Sequence, residues 1–326
     1  MIISRTPLRI SFAGGGTDLA AFYKKEGGEV ISAAINKYMY VTVNKRFDDS
    51  IRLSYTKTEI VDGVDSLQHE LVKEAMKLTG VTSGIEITTI ADIPAKGTGL
   101  GSSSSLTVGL LNALYAYKGR RVPTRRLAEE ACRIEIDILG EPIGKQDQYI
   151  AAYGGIKHFY FKNSGSVTVD PLLIPSGRIK KLQDGLMLFY TNISRRAHSV
   201  LKEQKAKSGS KIKELRGIKE LVPQLKQCLE SAGGRMDDFG RILHSGLEIK
   251  KTLASNISNA TIDRYYQRAM DAGASGGKIL GAGAGGFLLI YCRKEYRRKV
   301  RDALKPLRQV GFEFEPEGSR IIYADY

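Results

Sequence analysis

Apolar and β-branched residues in the first part of the chain fall into short runs that read as strands: Ile2–Phe12, Glu29–Ile35, Tyr38–Phe47 and Ile51–Tyr55. The pattern predicts a helix from about Ser66 to Leu78, and Ile85, Ile87 and Ile90 in IEITTI then mark a further strand. Leu106, Leu110, Leu111, Leu114 and Tyr117 recur at helical spacing, with Gly119 placed to stop the helix. Pro123-Thr124 opens another helix, in which Leu127, Ala131, Ile134 and Ile138 share a face and Gly140 ends it. Strands return at Gly154–Phe161 and Ser166–Val169. From Leu186 the order is LMLFYT, several helices, the run Phe287–Cys292, a basic helix and a terminal RIIYADY. Strands and helices without regular βαβ alternation predict an α+β fold. Pro and Gly interrupt the pattern between Pro171 and Arg178, which places a domain boundary between residues 1–172 and 173–326.

The sharpest local feature lies between the Ile85 strand and the Leu106 helix. There Pro94–Leu106 reads PAKGTGLGSSSSL, a glycine-rich loop running into four serines. Such a loop bares backbone N–H groups, and the helix start adds unsatisfied donors and a positive dipole end. Polyphosphate suits that site, and the hydroxyls could bond phosphate oxygens or complete a magnesium shell. A Walker A loop is absent: the first glycine it needs is Leu139 before Gly144-Lys145, and Ala272 before Gly277-Lys278. Gly281, Gly283 and Gly286 reproduce a dinucleotide fingerprint literally, but a strand-like run follows them where a helix is required.

Composition narrows the class. The chain has 326 residues, 42% hydrophobic and 26% charged, as in an ordinary globular protein with an ample core. The first residues, MIISRTPLRI, lack an extended apolar region, so a cytoplasmic protein without a membrane partner is expected. Cys132, Cys228 and Cys292 are widely separated and fit a reducing compartment better than a disulfide framework or zinc site. The net charge of +15 is the anomaly, concentrated in residues 118–126, 202–220 and 293–308. The last two stretches read as amphipathic helices with solvated basic faces. Aromatic residues are not interleaved with the basic clusters and no RRM, KH or zinc pattern occurs, which argues against a non-enzymatic RNA-binding protein. A basic field also raises the local concentration of phosphorylated substrates.

Three more segments carry chemistry. Pro7–Leu19, PLRISFAGGGTDL, leads from an arginine on a strand through glycines to Asp18, which can accept bonds from sugar hydroxyls. In Glu135–Tyr149, EIDILGEPIGKQDQY, a turn separates Glu135 from Asp147, so both carboxylates can serve one centre. Gly276–Gly286, GGKILGAGAGG, reads as a second glycine-rich loop able to close over a substrate.

Together these segments resemble the GHMP kinases, the family of galactokinase, homoserine kinase, mevalonate kinase and phosphomevalonate kinase. PAKGTGLGSSSS is similar to the family's phosphate loop, PLRISFAGGGTDL to galactokinase's N-terminal signature, GEPIGKQDQ to its G-x-P-x-G-x-x-D-Q segment and GAGAGG to the third motif. The resemblance implies a two-domain fold, with an N-terminal domain like ribosomal protein S5 domain 2 and a ferredoxin-like C-terminal domain. It also implies ATP and Mg2+ as cofactors. Asp147 then falls on the catalytic aspartate and Arg9 on the arginine beside it. Ser103 and Glu135 fall on the magnesium ligands, and Gly97, Thr98, Gly99, Leu100, Gly101, Ser102, Ser103 and Ser104 line the triphosphate. Asp18, with Gly15, Gly16 and Gly283, falls on the sugar side. Gly15-Gly16 replaces galactokinase's Glu-His, which puts galactose in doubt and opens room for another sugar.

AGGGTDL, with DQYIAAYGGI after the aspartate, looks most like the D-glycero-D-manno-heptose 7-phosphate kinases and is close to the kinase portion of bacterial fucokinases. The implied reaction is phosphorylation of heptose 7-phosphate to the 1,7-bisphosphate, with a fucokinase-like or other hexose 1-kinase as the alternative. The partners expected are ATP and a small sugar phosphate, with no nucleic acid; a homodimer is compatible with the chain. Arg195 leads the candidates for the acceptor phosphate, with Arg196, Lys145 and Lys278 beside it.

Overall fold

The long N-terminal runs form β1 (Ile2–Ala13) and β2 (Gly28–Lys45), paired antiparallel along most of their length. The strands expected at Glu29–Ile35 and Tyr38–Phe47 are therefore one strand with a bulge. Leu8 lies opposite Ile35 while Pro7 lies opposite Tyr38, so Asn36 and Lys37 are extra. The bulge is held from outside: the Asn36 N–H donates to the Glu313 carbonyl at 2.9 Å, and Asn36 Oδ1 accepts from the Glu313 N–H at 2.7 Å.

The fold is given by a computed structural model, which describes residues 1–94, 97–193, 203, 211–231, 233–254 and 257–325. After β2 come β3 (Ile51–Ser54), β4 (Thr58–Val61), α2 (Glu70–Thr79), β5 (Ile85–Ala91) and α3 (Ser102–Tyr117). Next follow α4 (Thr124–Cys132), α5 (Gln146–Tyr153), β6 (Ile156–Phe161) and β7 (Val167–Pro171). Past the expected boundary stand α6 (Ser176–Gly185), β8 (Leu186–Tyr190), α7 (Ile212–Glu230), α8 (Met236–Lys251) and α9 (Ala260–Asp271). The described chain ends with β9 (Ala274–Ile279), β10 (Phe287–Cys292), α10 (Arg297–Ala303), β11 (Arg308–Val310) and β12 (Arg320–Ala324). One sheet runs β12-β1-β2-β5-β3-β4, with β6 and β7 attached through β2; the other runs β11-β8-β10-β9. Sheet membership follows chain order on either side of residue 172 except for β12, which returns to pair with β1.

Alternation along the strands builds the core. In β10, Phe287, Leu289 and Tyr291 join β1 residues Leu8, Ile10 and Phe12 in one cluster, while Leu288, Ile290 and Cys292 face α9 and α10. The opposite face of the first sheet is covered by α3 and α5, with α2 and α4 packed against those helices in the same cluster. Among the described residues no helix is long and apolar enough to cross a membrane.

Two local readings need correction. Ile138 was expected on the buried face with Ile134, yet residues Arg133–Ile138 form a π-helical turn. The wider turn shifts the register, leaving Ile138 44% exposed and Glu135 fully buried. The glycine stretch expected as a loop from Gly276 begins as strand β9, because α8 packs directly on it. A Cβ on Gly276 would lie 1.9 Å from the Gly240 carbonyl oxygen of that helix. The short elements α1 (Ala20–Glu26), β4 and β11 offer too few periods to be read from pattern alone.

Helix α3 sits close against β1 because position 109 has no side chain. Ser4 Oγ donates to the Gly109 carbonyl at 2.7 Å, and a Cβ on Gly109 would meet Thr6 Oγ1 at 2.6 Å. Gly109→Ala should therefore lower stability by about 1–3 kcal/mol through overpacking. Urea unfolding checks this, and an unchanged midpoint would mean that α3 can move off β1 freely.

Candidate active site

The strand β1 delivers Arg9 to the floor of a cavity of about 1150 Å³, opposite the first turn of α5. Arg9 is buried and grips Asp147 with both faces of its fork: Nε donates to Oδ1 at 2.7 Å and Nη2 to Oδ2 at 2.6 Å. Its Nη1 donates to the Gly99 carbonyl and its backbone N–H to the Leu100 carbonyl. Gly101 passes directly over this pair with φ +76°, where a Cβ would lie 3.2 Å from Arg9 Cγ and 3.3 Å from Asp147 Oδ2. The left-handed backbone conformation favours glycine there, and a side chain would also press on the Arg9–Asp147 pair.

The second carboxylate is Glu135, turned inward by the π-helix. Ser103 Oγ donates to Oε1 at 2.7 Å and Gln148 Nε2 to Oε2 at 2.6 Å. Burial pushes its pKa up to about 7, against the pull of the Ser103, Ser104 and Gln148 donors and with a further push from Asp147. Among the described residues no group of three or more His, Cys, Asp and Glu could hold a metal. A magnesium ion bound here would rely on the few protein oxygens and on phosphate, as that ion commonly does.

The third carboxylate, Asp18, accepts from the Gly16 N–H at 3.0 Å and from Gln146 through its backbone N–H at 3.2 Å and its Nε2 at 3.1 Å. Gly144 is what lets it lie there: a Cβ at that position would sit 2.0 Å from Asp18 Oδ2. Burial raises the Asp18 pKa, as does the Asp147 charge. Ser11, two residues beyond Arg9 on the same strand face, lines the cavity 6% exposed, and its Oγ has no hydrogen-bond partner.

Two lysines complete the charge set. Lys250 at the end of α8 and Lys278 in β9 both line the cavity and are nearly buried. Lys250 Nζ donates to the Gly281 carbonyl, and Lys278 Nζ to the Phe12 carbonyl at 2.9 Å. Burial lowers the pKa of Lys250 to about 8, helped by the Arg9 charge, and burial with the Lys250 and Arg9 charges holds that of Lys278 well below its ordinary value. The cavity continues past the serines to Tyr55, Leu71 and Ile93.

Of the residues singled out from sequence, Arg9, Asp147, Glu135, Asp18, Gly15, Gly16, Gly97, Thr98, Gly99, Gly101, Ser102, Ser103 and Ser104 all line this one cavity. Leu100 does not: its side chain is buried in the core beside β1 and only its backbone serves the site. Gly283 does not either, because it packs on Ile257, whose carbonyl oxygen would lie 2.4 Å from a Cβ there; Gly281 and Ala282 line the cavity in its place. Lys145 is turned elsewhere, donating to the Gly165 carbonyl at 2.7 Å and lying over the Tyr23 ring. Arg195 and Arg196 lie outside the described residues. Sequence reading missed Ser11, Gln146, Gln148 and Lys250. The period of β1 signals Ser11, and adjacency to Asp147 signals the two glutamines. Nothing in the sequence separates Lys250 from Lys251 beside it.

Residues 68–155 match the GHMP kinases N terminal domain, and residues 221–307 match GHMP kinases C terminal. The chain is 32% identical, over 97% of both proteins, to the D-glycero-alpha-D-manno-heptose 7-phosphate kinase of Campylobacter jejuni. It is 26% identical to the L-fucokinase/L-fucose-1-P guanylyltransferase of Bacteroides fragilis, matching 90% of this chain and 35% of that one. A crystal structure described as a D-glycero-D-manno-heptose 1-phosphate kinase from Bacteroides thetaiotaomicron superposes with a TM-score of 0.83 at 26% identity, covering 100% of both chains.

The Glu135 environment makes a thermodynamic prediction. Because folding raises this pKa above 4.5, the folded protein holds the proton more tightly than the unfolded chain does. The stabilisation is full below 4.5 and is lost as pH rises to about 7. Relative to Glu135→Gln, the chelator-treated wild type should lose up to ~1.4 kcal/mol per pH unit across that window. Parallel stability curves for the two proteins would show that Glu135 is solvated.

Proposed function

The chain belongs to the GHMP kinase family and is an ATP-dependent sugar kinase, and from that premise we propose that it phosphorylates the anomeric hydroxyl of D-glycero-D-manno-heptose 7-phosphate to the 1,7-bisphosphate. The observation that carries the reading is the Arg9–Asp147 pair, standing where the glycine-serine loop and Asp18 meet. The heptose draws support from the full-length similarity to the Campylobacter jejuni enzyme.

In this reading residues 97–104 cradle the triphosphate with backbone N–H groups and the start of α3, and the wall at Tyr55, Leu71 and Ile93 receives the base. Asp18, Gln146 and Ser11 hold the acceptor's hydroxyls, one of which points at Asp147. That hydroxyl oxygen bonds to the γ-phosphorus as the bond to the bridging oxygen breaks. Its proton passes to the Asp147 carboxylate, and ADP leaves. Arg9 fixes the carboxylate and opposes the negative charge developing on the acceptor oxygen. Transfer of this kind depends on positioning and charge neutralisation more than on covalent chemistry.

Ser103 and Glu135 fit magnesium: their adjacent oxygens line the cavity, and burial leaves Glu135 in need of a cation to stay ionised. When bound, the ion neutralises phosphate oxygens.

Asp147→Asn should lower turnover by about 10²–10⁴-fold while ATP affinity is retained, because Asp147 serves the acceptor. Initial rates and nucleotide binding check this, and near-normal turnover would remove Asp147 from the mechanism. A panel of free and phosphorylated heptoses and hexoses tests the substrate. Strong preference for free fucose would replace the heptose reading with the fucokinase one.

A further inference from the structure

Lys250 and Lys278 present a physical problem that the mechanism above leaves unsolved. They are 9% and 8% exposed, and among the described residues each makes a single hydrogen bond, to a backbone carbonyl. An ammonium group has three donors, so two on each remain to be used. No carboxylate lies within ion-pair distance of either among the described residues. Buried charge without a counter-ion is costly, and each of these cations also repels the other and Arg9. An arrangement of this kind persists where a ligand anion completes it.

The position narrows the anion. Lys278 Nζ is tied to the Phe12 carbonyl, on β1 between Ser11 and the Gly14–Asp18 turn. Lys250 Nζ is tied to Gly281, whose backbone packs on Gly99, the residue that also receives Arg9 Nη1. Asp18 and Asp147 attract the Lys250 charge and Arg9 repels it. Lys278 thus stands at the β1 stretch between Arg9 and the Asp18 turn, and Lys250 stands where Gly281 meets the Gly99 end of the Arg9 site. Beside them Ser11 Oγ is buried and unpartnered.

We propose that Lys250 and Lys278 together seat the phosphate of an acceptor that is itself a phosphate monoester, on the Asp18 side of Asp147. The assignment rests on the proposal that the cavity phosphorylates a sugar phosphate, and it names the groups that would recognise that phosphate. A monoester dianion matches two ammonium groups in charge, and its three terminal oxygens take up the spare donors. Arg195, the leading candidate from sequence, lies outside the described residues.

The test has an arm that is independent of turnover. With the glycine-serine loop filled by magnesium and a non-hydrolysable ATP analogue, inorganic phosphate should raise the melting temperature of the wild type. The Lys250→Met, Lys278→Met double variant should not respond. Absence of a shift in the wild type, or an equal shift in the variant, overturns the seat. Ligand-free, the double variant should melt no lower than the wild type, because apolar side chains replace unpaired buried charge, and this establishes that it folds. In the kinetic arm, Lys250→Met should raise KM for the sugar phosphate at least tenfold and leave KM for its unphosphorylated analogue unchanged, with Lys250→Arg partly restoring the former. Equal losses on both acceptors would assign the charge to the phosphoryl group in transfer and overturn the proposal. If the wild type acts only on free sugars, the heptose phosphate reading fails, and the phosphate-induced melting shift still decides whether the seat exists.

Discussion

The burial of Arg9 against Asp147 is the constraint on which the rest of the structure turns. Arg9 is buried and Asp147 partly so; removing such charges from water is unfavourable, and mutual attraction offsets it only where geometry is good and the other donors are satisfied. Here Nε and Nη2 go to the carboxylate and Nη1 to the Gly99 carbonyl. Each partner imposes a demand elsewhere. Gly99 can accept that bond only if the loop before α3 folds down onto β1, which requires glycine at 101. Asp147 can meet the fork only if α5 begins at Gln146, directly after the turn in which Gly144 makes way for Asp18. One ion pair therefore brings three separate glycine segments into register, and specificity of geometry is what a satisfied buried pair supplies.

What the sequence made legible follows the reach of each signal. Glycine and serine at fixed spacing, arginine on a strand and the aspartates after turns are local features, and the structure gathers them around one cavity. The fold class was legible for the same reason, since apolar period distinguishes strand from helix wherever a run is long enough. The failures are all tertiary. Periodicity places Ile138 on the buried face with Ile134, and the π-helical turn instead exposes it and buries Glu135. Asn36 and Lys37 read as a break between strands because their partner, Glu313, is remote in the chain. Gly276 reads as loop because the helix backbone that needs its bare α-carbon is also remote.

The net charge of +15 has no counterpart inside the cavity. Arg9, Lys250 and Lys278 there stand with Asp18, Glu70, Glu135, Glu141 and Asp147, so the lining carries no cationic excess before ligands arrive. The excess sits on the surface, where many cations already have partners, as Arg125 does with Glu129 and Arg126 with Glu130. Such exposed pairs add little to stability. Their collective effect is a long-range field that draws anions toward the molecule and weakens with salt. Attraction at a distance and recognition at contact are thus carried by different residues.

The presence of both signs of charge does not make the ligand-free cavity comfortable. Glu135 is held above its ordinary pKa, Asp18 is pushed the same way by burial and by Asp147, and the two lysines are pushed the other way. In every case the charged form is disfavoured by desolvation, so the empty site is under electrostatic strain of a kind that packing cannot relieve. Ligands that carry the missing opposite charges relieve it. A cation at Glu135 and anions near the lysines would each restore the ionised forms that the chemistry needs. Binding to the folded state alone also stabilises it. Stability, protonation and substrate occupancy are therefore coupled at this cavity. A chain that buries so many charged groups in one place is a better fold with its ligands than without them.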